Sequence, residues 1–343
     1  MQNITVDEQI YKLASGNGIN LYRIKTDKFK TNTIQVFFHD ELCRERATKN
    51  ALLPAVMRRG CGMLPTFKDI ALYLEELYGA SFDCGVVKKG ERQIIHFYID
   101  HISDKYTDGE KELFEKCFNL LFEIITNPVI EEGEQALCSP TKTASLNNSA
   151  LDKAQCAFKK EYVEQEKVNL KNLIESRIND KVQYAVERCF EEMCSGEPFS
   201  IYEYGNVEDL DGINERNLFE HYISVIETSP IDIFVTGEIE DDRVLKAFER
   251  FNELNRKSVK KINSSFSKVE VDKVKDVEEK LEVNQGKLCL GFRTNIPPDD
   301  NRYYALVVYN SLLGGGGFMN SKLFKNVRER ESLAYYIFSR VEK

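Results

Sequence analysis

The 343-residue sequence predicts an α+β fold built twice, each lobe an antiparallel sheet covered by helices, with the second lobe truncated. Three observations predict it. Residues 80–87 and 93–100 alternate apolar and polar side chains around the charged turn KKGER, the period of two half-buried strands. Segments 66–78 and 108–126, on either side of them, carry apolar residues at helical spacing. The order strand, loop, helix at 34–38 and 47–59 begins again at 287–292 and 302–313, which reads as an internal duplication at low similarity.

Taken in order, IQVFF at 34–38 is a strand and 47–59 a helix. TFKDIALYLEELY at 66–78 places Phe67, Ile70, Ala71, Leu74 and Leu77 on one helical face and stops at Gly79. In 108–126, Leu113, Cys117, Leu120, Leu121 and Ile124 form the apolar stripe, and Asn127-Pro128 ends the helix. Residues 131–155 are polar, rich in serine and threonine and weakly periodic, so they read as a surface insertion or a mobile loop. A helical pattern resumes at Phe158 and runs to about Glu192, followed by a helix at 214–226, a strand at 231–236 and a helix at 241–255. The charged stretch 256–280 reads as a linker, which sets the first lobe at 1–255 and the second at 281–343. The second copy stops far short of the first, so Lys343 is expected to be a truncation point.

Composition excludes several classes. A formal net charge of −9 and the lack of a long basic tract argue against a nucleic-acid footprint. Residues 1–15 have neither a basic leader nor an apolar core segment, and the longest apolar runs, at 51–57 and 305–309, are too short to span a bilayer. Nine cysteines without a CxxC pair suggest reduced thiols in a cytoplasmic protein, with Cys189 and Cys194, the closest pair, read as core residues. The glycine run 314–317 is not a phosphate loop, because no GK[ST] follows and Phe318-Met319 stands where the lysine would be.

That glycine run opens the most informative stretch, GGGGFMNSKLFKNVRERESLAY. Read as a glycine turn and a helix, it puts Arg328 and Tyr335 seven positions apart, almost two helical turns, on one face. One offers a permanent cation with a planar fork of donors, the other a phenolic hydroxyl. Such a pair can hold a peptide carbonyl or steady an oxyanion, but it cannot hydrolyse a bond alone. Arg330 and Tyr336 are neighbours able to take over if the register differs slightly.

The chain resembles the pitrilysin/insulinase family of inverted-motif zinc peptidases, which includes the mitochondrial processing peptidases. Three stretches carry the resemblance: LLGGGGFMNSKLFKNVRERESLAY, like the family's second-lobe signature; IALYLEELYGASFDCGVVKKGERQIIHFYID, like its first-lobe helix and strand pair; and NVEDLDGINERNLFEHYI with IDIFVTGEIEDDRV, like the close of that lobe. In the family a helix reading HxxEH and a distant glutamate hold Zn²⁺, and the glutamate inside the motif acts on the attacking water. Aligning residues 56–60 with the segment after the motif puts Ala51, Leu52, Leu53, Pro54 and Ala55 where HxxEH should stand. The third ligand falls around Lys171 and Asn172, so the resemblance implies no metal bound by this chain.

Nothing else replaces the lost site. His39, His96, His101 and His221 lack a helical i, i+4 histidine partner, and each reads as a structural histidine. Cys61 and Ser81 have no recognisable base nearby. What the resemblance retains is the facing half: Arg328 to bind the substrate main chain, Tyr335 to stabilise the oxyanion, and Gly314, Gly315 and Gly316 to let the chain approach closely. Some bacterial members divide zinc motif and arginine–tyrosine pair between two chains. The resemblance then implies a non-catalytic subunit that pairs with a zinc-bearing homologue to act on peptides, with the Zn²⁺ in the partner. A structural scaffold without a part in proteolysis, and an active peptidase with an unrecognised metal site, stay open as alternatives.

Overall fold

The computed structural model describes residues 10–131, 156–263, 273–315 and 319–342. The insertion expected at 131–155 lies outside them apart from Glu131, as does the middle of the expected linker. The described residues divide into two compact units, one of 10–263 with 277–289 and one of 273–276 with 290–342.

The first unit is built on a six-stranded sheet, whose strands are β1 (Ile10–Gly16), β2 (Ile19–Lys25), β3 (Thr31–Glu41), β4 (Ser81–Lys89), β5 (Arg92–Ile102) and β6 (Ile231–Gly237). Their order across the sheet is β1-β2-β6-β3-β5-β4. The antiparallel expectation holds at β1/β2, β3/β5, β3/β6 and β4/β5 and gives way at β2/β6, which run parallel. The reason is topological: β6 returns only after the helical region and slots between β2 and β3, a crossover that permits a parallel pair.

One face of the sheet is apolar and helix-covered. Ile34, Val36 and Phe38 of β3, Ile95, Phe97 and Ile99 of β5, and Ile231, Ile233 and Val235 of β6 alternate inward and are buried. Each such side chain contributes about 1.5–3 kcal/mol. Helices α1 (Arg44–Met57) and α3 (Leu113–Thr126) pack on β5, and the buried stripe of α3 includes all five residues read from its periodicity. Between them α2 (Phe67–Glu76) starts at a capping box, Thr66 with Asp69.

The single helix expected from Phe158 to Glu192 is two, α4 (Lys160–Ser176) and α5 (Lys181–Met193). Asp180 causes the break, because its carboxylate accepts from the amides of Val182 at 3.1 Å and Gln183 at 3.0 Å and so starts a new helix. Then come α6 (Glu215–Thr228), capped by Asn214, and α7 (Asp241–Phe248), which passes into a 3₁₀ turn at Glu249–Glu253. The β1–β2 hairpin escaped the sequence reading, although Asn17-Gly18 spells its turn: both residues have positive φ, 51° and 74°. Arg23 of β2 is fully buried and donates to the carbonyls of Val235 (3.0 Å), Gly237 (2.8 Å) and Ile239 (2.7 Å), which anchors the end of β6.

The second unit holds α8 (Tyr303–Leu313) and a π-helical turn at Phe324–Arg330. The strand expected at 287–292 is not formed; those residues are neither helix nor strand, since no described segment offers them a ladder. Seven described cysteines stand outside any disulfide, while Cys156 is disulfide-bonded, so the reading of all nine as reduced does not hold there.

Candidate functional site

Helix α1 carries the residues aligned with the metal motif. Ala51, Leu52 and Leu53 are 6%, 0% and 2% exposed and belong to the core. Pro54 lies inside the helix, and its carbonyl accepts from the Arg58 amide at 3.0 Å and from the Cys84 thiol at 3.2 Å. A proline ring cannot take a proton from water, and alanine at positions 51 and 55 offers no lone pair to a cation. Lys171 and Asn172 on α4 are exposed, with Lys171 3.8 Å from Glu175. Among the described residues no group of three or more His, Cys, Asp or Glu is placed to hold a metal ion. This donor set does not fit Zn²⁺.

The α4 carboxylate that does turn towards α1 is Glu166, which was not singled out from sequence. It is buried, forms an ion pair with Arg59 just beyond the end of α1, and accepts from Asn169 at 3.1 Å. The seam between the two helices is closed by this pair. Its signal in the sequence was weak: one glutamate among several in a polar helix.

The histidines have structural duties. His39 Nε2 lies 3.0 Å from Asp232, and His101 Nδ1 lies 2.8 Å from the Ile102 carbonyl. Burial holds the His96 imidazole below the usual histidine range. His221 Nε2 donates to Asn50 Oδ1 at 2.6 Å, since the Asn50 amide nitrogen already donates to Asp40 (3.1 Å) and Gln93 (2.9 Å). Burial pushes His221 down to about 4; Asp40 opposes the shift, and Lys49, Lys260 and Arg46 add to it. Cys61 is fully buried and its thiol is pushed up by burial, which leaves it without thiolate character.

In the second unit, Gly314 is a close approach: a Cβ there would meet Leu323 Cδ1 at 2.7 Å and the Ser339 backbone nitrogen at 3.0 Å. A Cβ on Gly315 would meet Asn310 Nδ2 at 2.8 Å. Gly316 lies outside the described residues. Arg328 and Tyr335 come together, with the guanidinium carbon 4.5 Å from the Tyr335 ring centroid. They do so by a different route from the expected single helix. The helix ends at Arg330, Ser332 takes φ 54°, and the Leu333 amide donates back to the Val327 carbonyl at 3.0 Å. Tyr335 therefore folds back on Arg328 from beyond the helix and is 78% exposed. Of the alternates, Arg330 is engaged by Glu331 at 2.8 Å and Tyr336 is 81% exposed.

Helices on one face of a six-stranded sheet, with a motif helix that carries hydrocarbon in place of ligands, define a metallopeptidase-like protein without a metal donor set. The chain belongs to the M16 peptidase family. Residues 213–343 match the model described as the peptidase M16 inactive domain. The chain is 35% identical over 325 residues to the "Probable inactive metalloprotease YmfF" of Bacillus subtilis (strain 168), a match covering 95% of this chain and 70% of that protein. It is also 31% identical over 135 residues to the "Uncharacterized zinc protease YmxG" of the same organism, covering 39% of this chain and 31% of that one. Among solved structures it is similar to a conserved protein from Enterococcus faecalis V583, with a TM-score of 0.76 and 28% identity over 97% of this chain and 72% of the other. No helix among the described residues is long and apolar enough to cross a membrane.

Proposed function

We propose that this chain is the non-catalytic subunit of a zinc-dependent peptidase. It pairs with a zinc-bearing homologue and contributes Arg328 to hold the substrate main chain and Tyr335 to stabilise the oxyanion. One observation carries the proposal: the motif helix has lost every donor at 51–55, while Arg328 and Tyr335 are held 4.5 Å apart. The close approach at Gly314 and Gly315 supports a chamber wall at that turn. Similarity to an inactive metalloprotease along nearly the whole chain, and to a zinc protease over part of it, is what a divided enzyme would leave. In this reading residues 1–255 form the first lobe, 256–280 a linker and 281–343 part of the second lobe, and the protein works in the cytoplasm.

The mechanism assigned to this chain is electrostatic. A guanidinium aimed at a main-chain carbonyl orients the peptide, and a phenolic hydroxyl donates to the oxygen that gains charge. Purified with a zinc-bearing M16 homologue, the complex is expected to cleave unfolded peptides. Arg328→Ala or Tyr335→Phe in that complex should lower kcat/KM by about 2–4 kcal/mol of transition-state stabilisation. An unchanged kcat/KM would refute the assignment and leave a structural scaffold as the better account.

A further inference from the structure

Arg328 touches a second ring. Its guanidinium carbon lies 4.6 Å from the centroid of Phe324 as well as 4.5 Å from that of Tyr335. In a helix with i→i+5 bonding, residues four apart are a little less than one turn from each other, so the π-helical turn sets Phe324 against Arg328. The cation rests on two ring faces, and no hydrogen bond or ion pair to it occurs among the described residues. Other arginines of this unit are engaged: Arg302 by Asp300 at 2.7 Å and Arg330 by Glu331 at 2.8 Å. Arg177 is the instructive contrast. It too stacks on two rings, Tyr184 at 5.4 Å and Tyr202 at 4.3 Å, but its N–H groups are taken by Glu187 and Glu191. A stack with its donors consumed is structural; one with its donors free is prepared for an acceptor.

We infer that Phe324 is a positioning residue for Arg328, an inference that rests on the functional reading above. Together with Tyr335 it fixes the guanidinium before any ligand arrives, while its N–H groups stay uncommitted among the described residues. The rim they form suits a planar acceptor approached in its own plane, which for an unfolded peptide is a main-chain carbonyl.

The test uses the full chain and a fluorescent, side-chain-neutral extended peptide, acetylated and amidated at its ends. Two quantities are read: the Kd by anisotropy, and the Arg328 Nε–H resonance, which the ring currents of Phe324 and Tyr335 displace. Phe324→Leu is expected to weaken binding roughly tenfold, the size of one shielded cation–π contact, and to move the resonance; Phe324→Tyr should restore both. If Phe324→Leu abolishes the thermal unfolding transition, Phe324→Met, which keeps most of the volume and removes the ring, takes its place with the same expectation. Unchanged affinity and resonance in Phe324→Leu, with weaker binding by Arg328→Lys, would overturn the positioning role and leave the Arg328 assignment standing. Unchanged binding by Arg328→Lys would overturn both.

Discussion

At the scale of the residue, His221 shows how a side chain without chemistry still governs behaviour. Its imidazole is half-buried, neutral and committed to Asn50, and desolvation holds its pKa near 4, against an ordinary value of 6.5. The unfolded chain therefore takes up a proton as pH falls through 6.5, and the folded chain refuses it until about pH 4. Stability is fully present above that window and is lost as pH falls across it, by on the order of 3 kcal/mol. Burial depresses His101 in the same direction. Urea unfolding at pH 7.5 and pH 5 should show a lower midpoint at the acid value, and His221→Gln should reduce the difference. A midpoint independent of pH between those values would contradict this account. None of this was legible from sequence, where His221 is one polar residue in an amphipathic helix. Only the fold brings Asp40, Asn50 and Gln93 around it.

Among the elements, the seam between α1 and α4 matters most. Arg59, just beyond the end of α1, and Glu166 of α4 meet there, with Glu166 buried and Arg59 partly so. A double-mutant cycle with Arg59→Met and Glu166→Gln should give a coupling of about 1–2 kcal/mol in unfolding free energy, larger than an exposed pair supplies. Zero coupling would mean that packing alone joins the helices. Legibility at this scale followed local chemistry. The hairpin β4–β5 was readable because alternation and the KKGER turn are local, and α3 because its stripe is continuous. The α4/α5 break was not, because apolar spacing runs on across it and only the Asp180 carboxylate interrupts the backbone. Pattern likewise suggested a strand at 287–292, but a strand needs a neighbour as well as a pattern. The meeting of Arg328 and Tyr335 was anticipated while its path was not. Ser332 in the left-handed region replaces two helical turns with one reversal.

For the whole molecule, the expectation concerns metal. A chain whose motif helix presents Ala51, Pro54 and Ala55 should purify without stoichiometric Zn²⁺, as measured by mass spectrometry of the metal content after gel filtration. One zinc per chain would contradict the assignment of residues 51–55. Sheet topology has a further consequence, for synthesis. The ribbon β1–β2 joins the other strands only through β6, yet β6 is the last of the six to be made. While the ribosome is still short of Ile231, the nascent polypeptide holds two sheet fragments with an unfilled slot between them, each showing bare edges. Emergence of seven residues, Ile231–Gly237, supplies the partner for both open edges, so the sheet can close only once that strand has been made.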